Sequence, residues 1–524
     1  MNVGDILGKL RRKIAPAAAE KRPFVRHAET FARRIKDWEA CPKLPPKGTR
    51  VGVLVTPWMF TAVPFFSLEC AMLLRSQGLE VVILWDASNT FFNAATAREI
   101  ETIQRLLRRL PDDLSVIDIA TASADGDIDE MHLEGLIFEN SVREFRGESA
   151  AREFLASHPE RRMHVLEHAR QVAHVFGRER WDWVLIPGGV WAVSGVCVHI
   201  AERLKLAYST FDSGVGELVL THGAVAAHFG DFPEVFAEVQ RRCDANPAER
   251  EIVMQHAQQS LQTRMEGRDT YRLQLRPASS DAADRCDILV ALNFRLDSAA
   301  LLRQKLFTSI THWLRSILEW LVTQPGVTLA IRQHPCERIP EYRGGDRWED
   351  LLAEFPALKD RVRLVRAEDP VNTYDLISSA KVVLPFTSRV GIEASLLGKP
   401  VILCAHCYYE SLPFVWSPST AAEYFCLIRA ALDESITVAP AAREVATIAY
   451  CLAEECLLLA TTFTPIPSDY EKWVEVPPAA FWAREEMREI REALVARRHL
   501  PLLSYERRVA EKAWMKEAAP AHAA

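Results

Sequence analysis

Short apolar runs alternate with segments of helical periodicity along most of the chain. RVGVLVTP (50–57) reads as a buried strand, FFSLECAMLLRSQG (65–78) as a helix stopped at Gly78, and LEVVILWD (79–86) as the next strand. Strand, helix, strand in that order is the unit of a parallel sheet. The alternation pauses at the acidic SADGDIDEM (123–131) and resumes with a helix in RRMHVLEHARQVAHVFGRER (161–180). A strand running into a glycine turn (WDWVLIPGG, 181–189), a helix through VCVHIAERLK (196–205) and a short strand, AYSTFDSG (207–214), come next. Residues 232–278 carry helical patterns broken at DANPAE (244–249), and RLQLRPASSDAADR (272–285) reads as a crossing linker.

A second alternating series then begins. Its strands are CDILVALNF (286–294), VTLAIRQHP (327–335), RVRLVRAED (361–369), KVVLPFT (381–387) and KPVILC (399–404). The helices between them are expected at SITHWLRSILEWLV (309–322), RWEDLLAEF (347–355), NTYDLISSA (372–380) and GIEASLLG (391–398). Two such series predict an α/β protein with two doubly wound, Rossmann-like domains facing a cleft. The expected division is a basic, amphipathic segment and linker over 1–47, a first domain over 48–278, a second over 279–464 and a helical extension over 465–524.

Composition narrows the class. The 524 residues exceed what one core serves, and 49% hydrophobic with 25% charged residues is ordinary for a globular protein. A net charge of -7 gives no global basic field, which excludes a nucleic-acid-coating protein. The 11 cysteines, odd in number and without a framework spacing, fit a reducing, cytoplasmic setting. No apolar run reaches the roughly 18 residues of a membrane span. At the amino terminus Val3, Ile6, Leu7, Leu10 and Ile14 follow helical spacing beside Lys9, Arg11, Arg12 and Lys13. That segment fits a helix lying on the anionic inner face of a plasma membrane, or a solvated terminus.

The candidate chemistry gathers where strands end, because ligands of such sheets bind outside the carboxyl ends of the strands. LAIRQHPCE (329–337) ends a buried strand on Arg332, His334 and Glu337, and a guanidinium with an imidazole suits phosphate oxygens. In PFTSRVGIEASLLGKPVI (385–402), Thr387 and Ser388 fall where a helix cap is expected and Gly391 permits close backbone approach. Glu393 fits a favourable dipole contact in the first helical turns, or a carboxylate accepting the hydroxyls of a nucleotide ribose. Asp212, in FDSGVGE, fits a general base or a turn residue, with His222 and Asp231 in reserve. Asn293, Arg295 and Asp297 follow the first strand of the second series, and Asn372 fits a helix cap ahead of Tyr374.

Weaker signals remain. Asp125, Asp127 and Asp129 are spaced like metal ligands, but Glu130 stands where a calcium loop needs glycine, so a solvated loop is expected. Cys404 and Cys407 form a C-x-x-C without a second pair, and no metal site is expected. Tyr408, Tyr409 and FVWSP (414–418) fit core packing or a stacking surface. Neither a phosphate-binding G-x-x-x-x-G-K-[ST] loop nor a G-x-G-x-x-G turn is present.

The succession IRQHPCE, DPVNTYDLI, TSRVGIEASLLGKPVI and HCYY, most clearly over 286–415, resembles bacterial capsule polysaccharide biosynthesis proteins. These are GT-B glycosyltransferases, a group that includes Kdo transferases, and they share histidine-proline and serine motifs with bacterial sialyltransferases. The resemblance implies that His334, Ser388 and Glu393 bind a nucleotide-sugar donor, CMP- or UDP-linked, with Arg332, Glu337, Thr387 and Gly391 beside them. FDSG is similar to the motif that supplies the base in sialyltransferases, although Ser213 stands where that motif has a second acid. The implied activity is metal-independent transfer of a sugar, without a cofactor, to a glycan or glycolipid acceptor, with peripheral contacts to the membrane or to capsule assembly proteins. A nucleotide-sugar epimerase and a non-catalytic polysaccharide-binding protein are the alternatives.

Overall fold

The computed structural model describes residues 18–39, 43–58, 61–88, 96–213, 217–269, 273–279, 285–294, 296–461, 463 and 476–511. The amphipathic pattern of 1–17, with Arg295 and Gly214, lies outside them. The chain divides into two compact units.

The first unit takes the described residues up to Glu134, with Glu160–Ala226 and Leu459–Leu500. Its strands are β1 (Arg50–Val55), β2 (Glu80–Trp85), β3 (Ser115–Asp118), β4 (Trp183–Pro187), β5 (Tyr208–Ser213) and β6 (Glu217–His222). The second unit supplies β7 (Ile288–Ala291), β8 (Leu329–Arg332), β9 (Val362–Val365) and β10 (Val382–Pro385). A two-residue β11 (Leu459–Ala460) returns to the first sheet, whose order is β11-β6-β5-β4-β1-β2-β3; the second sheet runs β10-β7-β8-β9.

The four strands of the second sheet are all parallel, in the register Pro385↔Ala291↔Arg332↔Val365 at their carboxyl ends. Both faces are covered, which is why its strands read as unbroken apolar runs. Ile288, Val290, Leu329, Ile331, Val382 and Leu384 enter one core with Trp313, Ile317 and Ile428. Leu289, Ala330 and Val383 point the other way, to Phe236, Val239, Val253, Ala257 and Leu261. Those last five belong to the helices Phe232–Ala245 and Pro247–Met265. Residues 227–278 therefore group with the second sheet and not with the first, as the expected boundary at 278 had it. Their apolar faces are buried against β7, β8 and β10, each large side chain contributing about 1.5–3 kcal/mol.

Two further expectations change. The segment KPVILC forms only isolated bridges, Val383↔Val401 and Ile402↔Trp416, in place of a fifth strand. The expected extension over 465–524 is divided between the units: helix Glu485–Ala496 lies in the first, whereas most of helix Leu500–Ala510 lies in the second, where Tyr505 Oη donates to Glu249 at 2.8 Å.

The first sheet is parallel from β3 to β5 and then reverses. β5 and β6 form an antiparallel hairpin with Ser209↔His222 and Asp212↔Val219, and β11 pairs antiparallel with β6. In each sheet the chain winds outward in one direction and then crosses back. The strand order reverses between β1 and β4 and between β7 and β10, the switch points at which such sheets open a crevice.

Candidate functional site

At the switch point of the second sheet, the ends of β7, β8 and β10 deliver Asn293, Arg332, His334 and Thr387 to one edge. Asn293 Oδ1 accepts from the Thr387 backbone N at 3.1 Å and its Nδ2 donates to Asp297 Oδ2 at 2.9 Å, so one amide side chain ties the two loops together. Thr387 is buried, and its hydroxyl has no hydrogen-bond partner.

Arg332 is buried as well. One Nη donates to the Arg366 carbonyl, while Nε has no partner. Burial lowers its pKa to about 10, which leaves it a cation at neutral pH. His334 caps the short turn Pro335–Arg338, its Nδ1 accepting from Cys336 N at 3.2 Å. That bond puts the ring proton on Nε2. Burial, followed by the Arg332 and Arg264 guanidinium groups, pushes the His334 pKa down to about 4. The edge therefore offers a cation, a neutral imidazole N–H and a hydroxyl, all donors suited to phosphate oxygens.

The remaining residues of the expected donor set have internal employment. Ser388 Oγ accepts from Val390 N at 3.3 Å, although the residue at the helix cap is Arg389. Glu337 is buried and accepts from Gln333 Nε2 at 2.6 Å, bracing the end of β8. A Cβ on Gly391 would lie 2.2 Å from Tyr409 Oη, so the glycine makes room for that tyrosine. Tyr409 in turn donates to the Ser388 carbonyl at 2.5 Å.

Glu393 is the centre of a buried ion network. Its Oε1 lies 3.3 Å from Arg264 Nε and 3.7 Å from Arg389 Nε, and its Oε2 accepts from Tyr374 Oη at 3.0 Å. Arg264 Nη1 reaches Glu454 Oε1 at 3.1 Å, and Arg389 Nη1 reaches Glu454 Oε2 at 2.5 Å. Two guanidinium groups thus hold two carboxylates. Burial works to lower the Arg264 pKa, but Glu393, Tyr374 and Glu454 outweigh it and raise it. Arg264 was missed in the sequence because a single arginine on a charged helix carries no spacing signal.

In the first unit, Asp212 and His222 are not brought together. Three residues along β5, about 10 Å, separate the Asp212 pair from the Ser209↔His222 pair, and the odd offset turns their side chains to opposite faces. Half-buried Asp212 lies at the carboxyl-terminal edge of the parallel strands. The reversal of β6 carries His222 to the opposite edge, contrary to its expected place. There its Nδ1 bonds Ser209 Oγ at 2.7 Å and Nε2 faces the Arg498 carbonyl at 3.1 Å. Burial, with Arg497 next, lowers its pKa to about 4. Asp231 is buried at the start of helix Phe232–Ala245 in the second unit.

Other candidates resolve into structure. Asn372 caps its helix, accepting from Tyr374 N at 2.8 Å. Asp125, Asp127 and Asp129 pair with His174, Arg203 and His132. Cys404 and Cys407 are buried thiols directed at the carbonyls of Pro385 and Thr387. Tyr408 packs edge-on against Phe229, Phe232 and Tyr409. Among the described residues no group of three or more His, Cys, Asp or Glu is placed to hold a metal ion. Nor is any described helix long and apolar enough to cross a membrane.

Residues 249–421 match the family described as capsule polysaccharide biosynthesis protein. That stretch runs from helix Pro247–Met265 through β10 and Glu393, and so contains the edge just described. No curated protein matches the chain. Among solved structures, Thermosulfurimonas dismutans KpsC, a beta Kdo 2,4 transferase, is 14% identical with a TM-score of 0.29, over 51% of this chain and 79% of that one. The UDP-GlcNAc 2-epimerase from Neisseria meningitidis bound to UDP-GlcNAc is 12% identical with a TM-score of 0.23, over 82% and 99%. Likenesses this slight carry no argument about the reaction. Over 249–421 the chain is similar to capsule polysaccharide biosynthesis proteins, and its fold is α/β with two Rossmann-like units.

Proposed function

We propose that the protein is a glycosyltransferase of surface polysaccharide synthesis, moving a sugar from a nucleotide donor to a glycan or glycolipid acceptor. The observation that carries this reading is the pair of buried, unpartnered donors, Arg332 Nε and Thr387 Oγ1, beside the neutral His334 at the switch point of β7 and β10. Buried polar groups in folded proteins are nearly always paired, and unpaired ones at a switch point fit a ligand. Three donors of this kind fit a phosphate.

For transfer with inversion, Asp212 takes the proton of the acceptor hydroxyl. The freed oxygen attacks the anomeric carbon as the bond to the donor's phosphate oxygen breaks. The negative charge arriving on the departing phosphate is met by Arg332, His334 Nε2–H and the Thr387 hydroxyl, fixed before the reaction begins. This chemistry asks for no metal. Work on the inner face of the membrane, with residues 1–17 as the contact, completes the proposal.

Calorimetric binding of CMP, CDP, UDP and GDP to the wild type and to His334→Ala tests it. One nucleotide should bind, and the substitution should weaken it by about 1.5 kcal/mol or more, the size of a charge-assisted contact. Failure of all four to bind would remove the donor site and the enzyme with it.

A further inference from the structure

Glu393, the carboxylate that the chain's resemblance assigns to the donor nucleotide, has each of its oxygens already engaged, Oε1 by Arg264 Nε at 3.3 Å and Oε2 by Tyr374 Oη at 3.0 Å. A different carboxylate nearby is not so engaged. The side chain of Asp269 is only 8% exposed, and both of its oxygens lack a hydrogen-bond partner. Its nearest cation is Arg264, whose Nη1 lies 3.8 Å from Oδ2, beyond hydrogen-bonding reach. A buried carboxylate with both oxygens unmet is a standing cost to the fold, and such groups call for an explanation.

Its place supplies one. Asp269 lies in the connection between helix Pro247–Met265 and β7, and that connection is fastened to the same sheet edge at both ends. Asn372 Nδ2 donates to the Met265 carbonyl at 2.9 Å and to the Arg276 carbonyl at 2.8 Å. Arg338, in the turn that His334 caps, donates to the Leu273 carbonyl at 3.1 Å, and Gln274 Oε1 accepts from Thr373 N at 2.9 Å. The Thr373 hydroxyl, also buried, is a further polar atom there without a partner. Arg264, 3.8 Å from Asp269, also bears on the titration of His334, so the field of one guanidinium reaches both.

We infer that Asp269 is a binding residue for a vicinal diol of the donor, its two carboxylate oxygens accepting two adjacent hydroxyls, with Arg264 holding it in position. This rests on the nucleotide-sugar reading above and deepens it. A diol is the chemistry that fits, because it brings two O–H donors to one carboxylate and no charge to a region where Arg264 is already paired. Ribose and the transferred sugar both present one.

The test is the ratio of ribonucleotide to 2′-deoxyribonucleotide affinity, measured with UDP against dUDP and CMP against dCMP, for the wild type and the near-isosteric Asp269→Asn. The wild type should prefer the ribonucleotide by about 10-fold or more, and Asp269→Asn should reduce that preference towards unity. Glu393→Gln, with a comparable thermal melt, should leave it intact. If the wild type shows no preference but Asp269→Asn weakens a nucleotide sugar while leaving the free nucleotide alone, the diol is on the transferred sugar and the inference holds. Unchanged binding of both nucleotide and nucleotide sugar by a folded Asp269→Asn overturns it. Should His334→Ala weaken nucleotide binding in that same case, the phosphate site stands and only the Asp269 role is lost. No nucleotide binding by the wild type overturns both.

Discussion

The carboxyl-terminal edges of the two sheets are built alike and furnished differently. In the first, β2 is followed by Asp86, which is buried and bonded to His168 at 2.6 Å, β3 ends on Asp118, and Asp212 lies near the end of β5. The turn after β4 is Gly188–Gly189, both with positive φ, so the chain turns there without side-chain bulk. In the second, the same places hold Arg332, His334, Asn293 and Thr387. One edge gathers carboxylates and bare backbone; the other gathers donors. A parallel scaffold is indifferent to chemistry and only ensures that residues after its strands share an edge, so what each edge can bind is set by those few side chains.

Asp212→Asn tests the acidic edge most severely. It should lower turnover by about 10²- to 10⁴-fold, the range for a lost general base, while nucleotide affinity stays at the wild-type value. His222→Gln, at the opposite edge of the same sheet, should leave turnover near wild type. If His222→Gln is the crippled variant, the acidic edge has been assigned the wrong residue.

Next in size is Arg264→Met. Removing one cation from a buried network that holds Glu393 and Glu454 should cost about 3–5 kcal/mol of unfolding free energy, read from denaturant midpoints. A loss below about 1 kcal/mol would mean that Arg389 alone suffices for both carboxylates.

The alternation of strands and helices was legible because two-sided burial writes continuous apolar runs, as at VVLP (382–385), and because caps such as Ser309 and Asn372 mark helix starts. Arg332, His334 and Thr387 were legible as an edge for the same reason: a polar residue ending such a run has one place to go. The reversal at β6 was not, since ELVLTH (217–222) is apolar in any strand direction and only its pairing with β5 decides where His222 lands. The surroundings of Glu393 were not legible, because spacing places a side chain on a helix but cannot show that Arg264, over a hundred positions earlier, reaches it.

On the basic edge, His334→Ala should weaken nucleotide binding by about 1.5–3 kcal/mol. It also has an acid signature. The wild-type imidazole is held at about 4 against an ordinary 6.5, so its neutral form supports the fold above 6.5, and that support is lost as pH falls towards 4. Wild type should therefore lose more stability than His334→Ala between those limits, as measured by denaturant midpoints at each pH. Equal losses would place the ring in water.

The smallest effect separates two reasons for a glycine at the donor edge. If Gly391 exists to admit a ligand, Gly391→Ala should damage binding more than stability. If it exists to admit Tyr409, whose hydroxyl lies 2.2 Å from the would-be methyl, the substitution should cost about 1–3 kcal/mol of stability by overpacking. Tyr409→Phe alone removes one hydrogen bond to the Ser388 carbonyl, about 1 kcal/mol. In the double variant the hydroxyl that the methyl strikes is gone, so the two costs should fall short of their sum by about 0.5 kcal/mol or more. Strict additivity would show that the methyl's cost arises from the ring carbons, Cζ at 2.9 Å and Cε2 at 3.1 Å, which phenylalanine keeps.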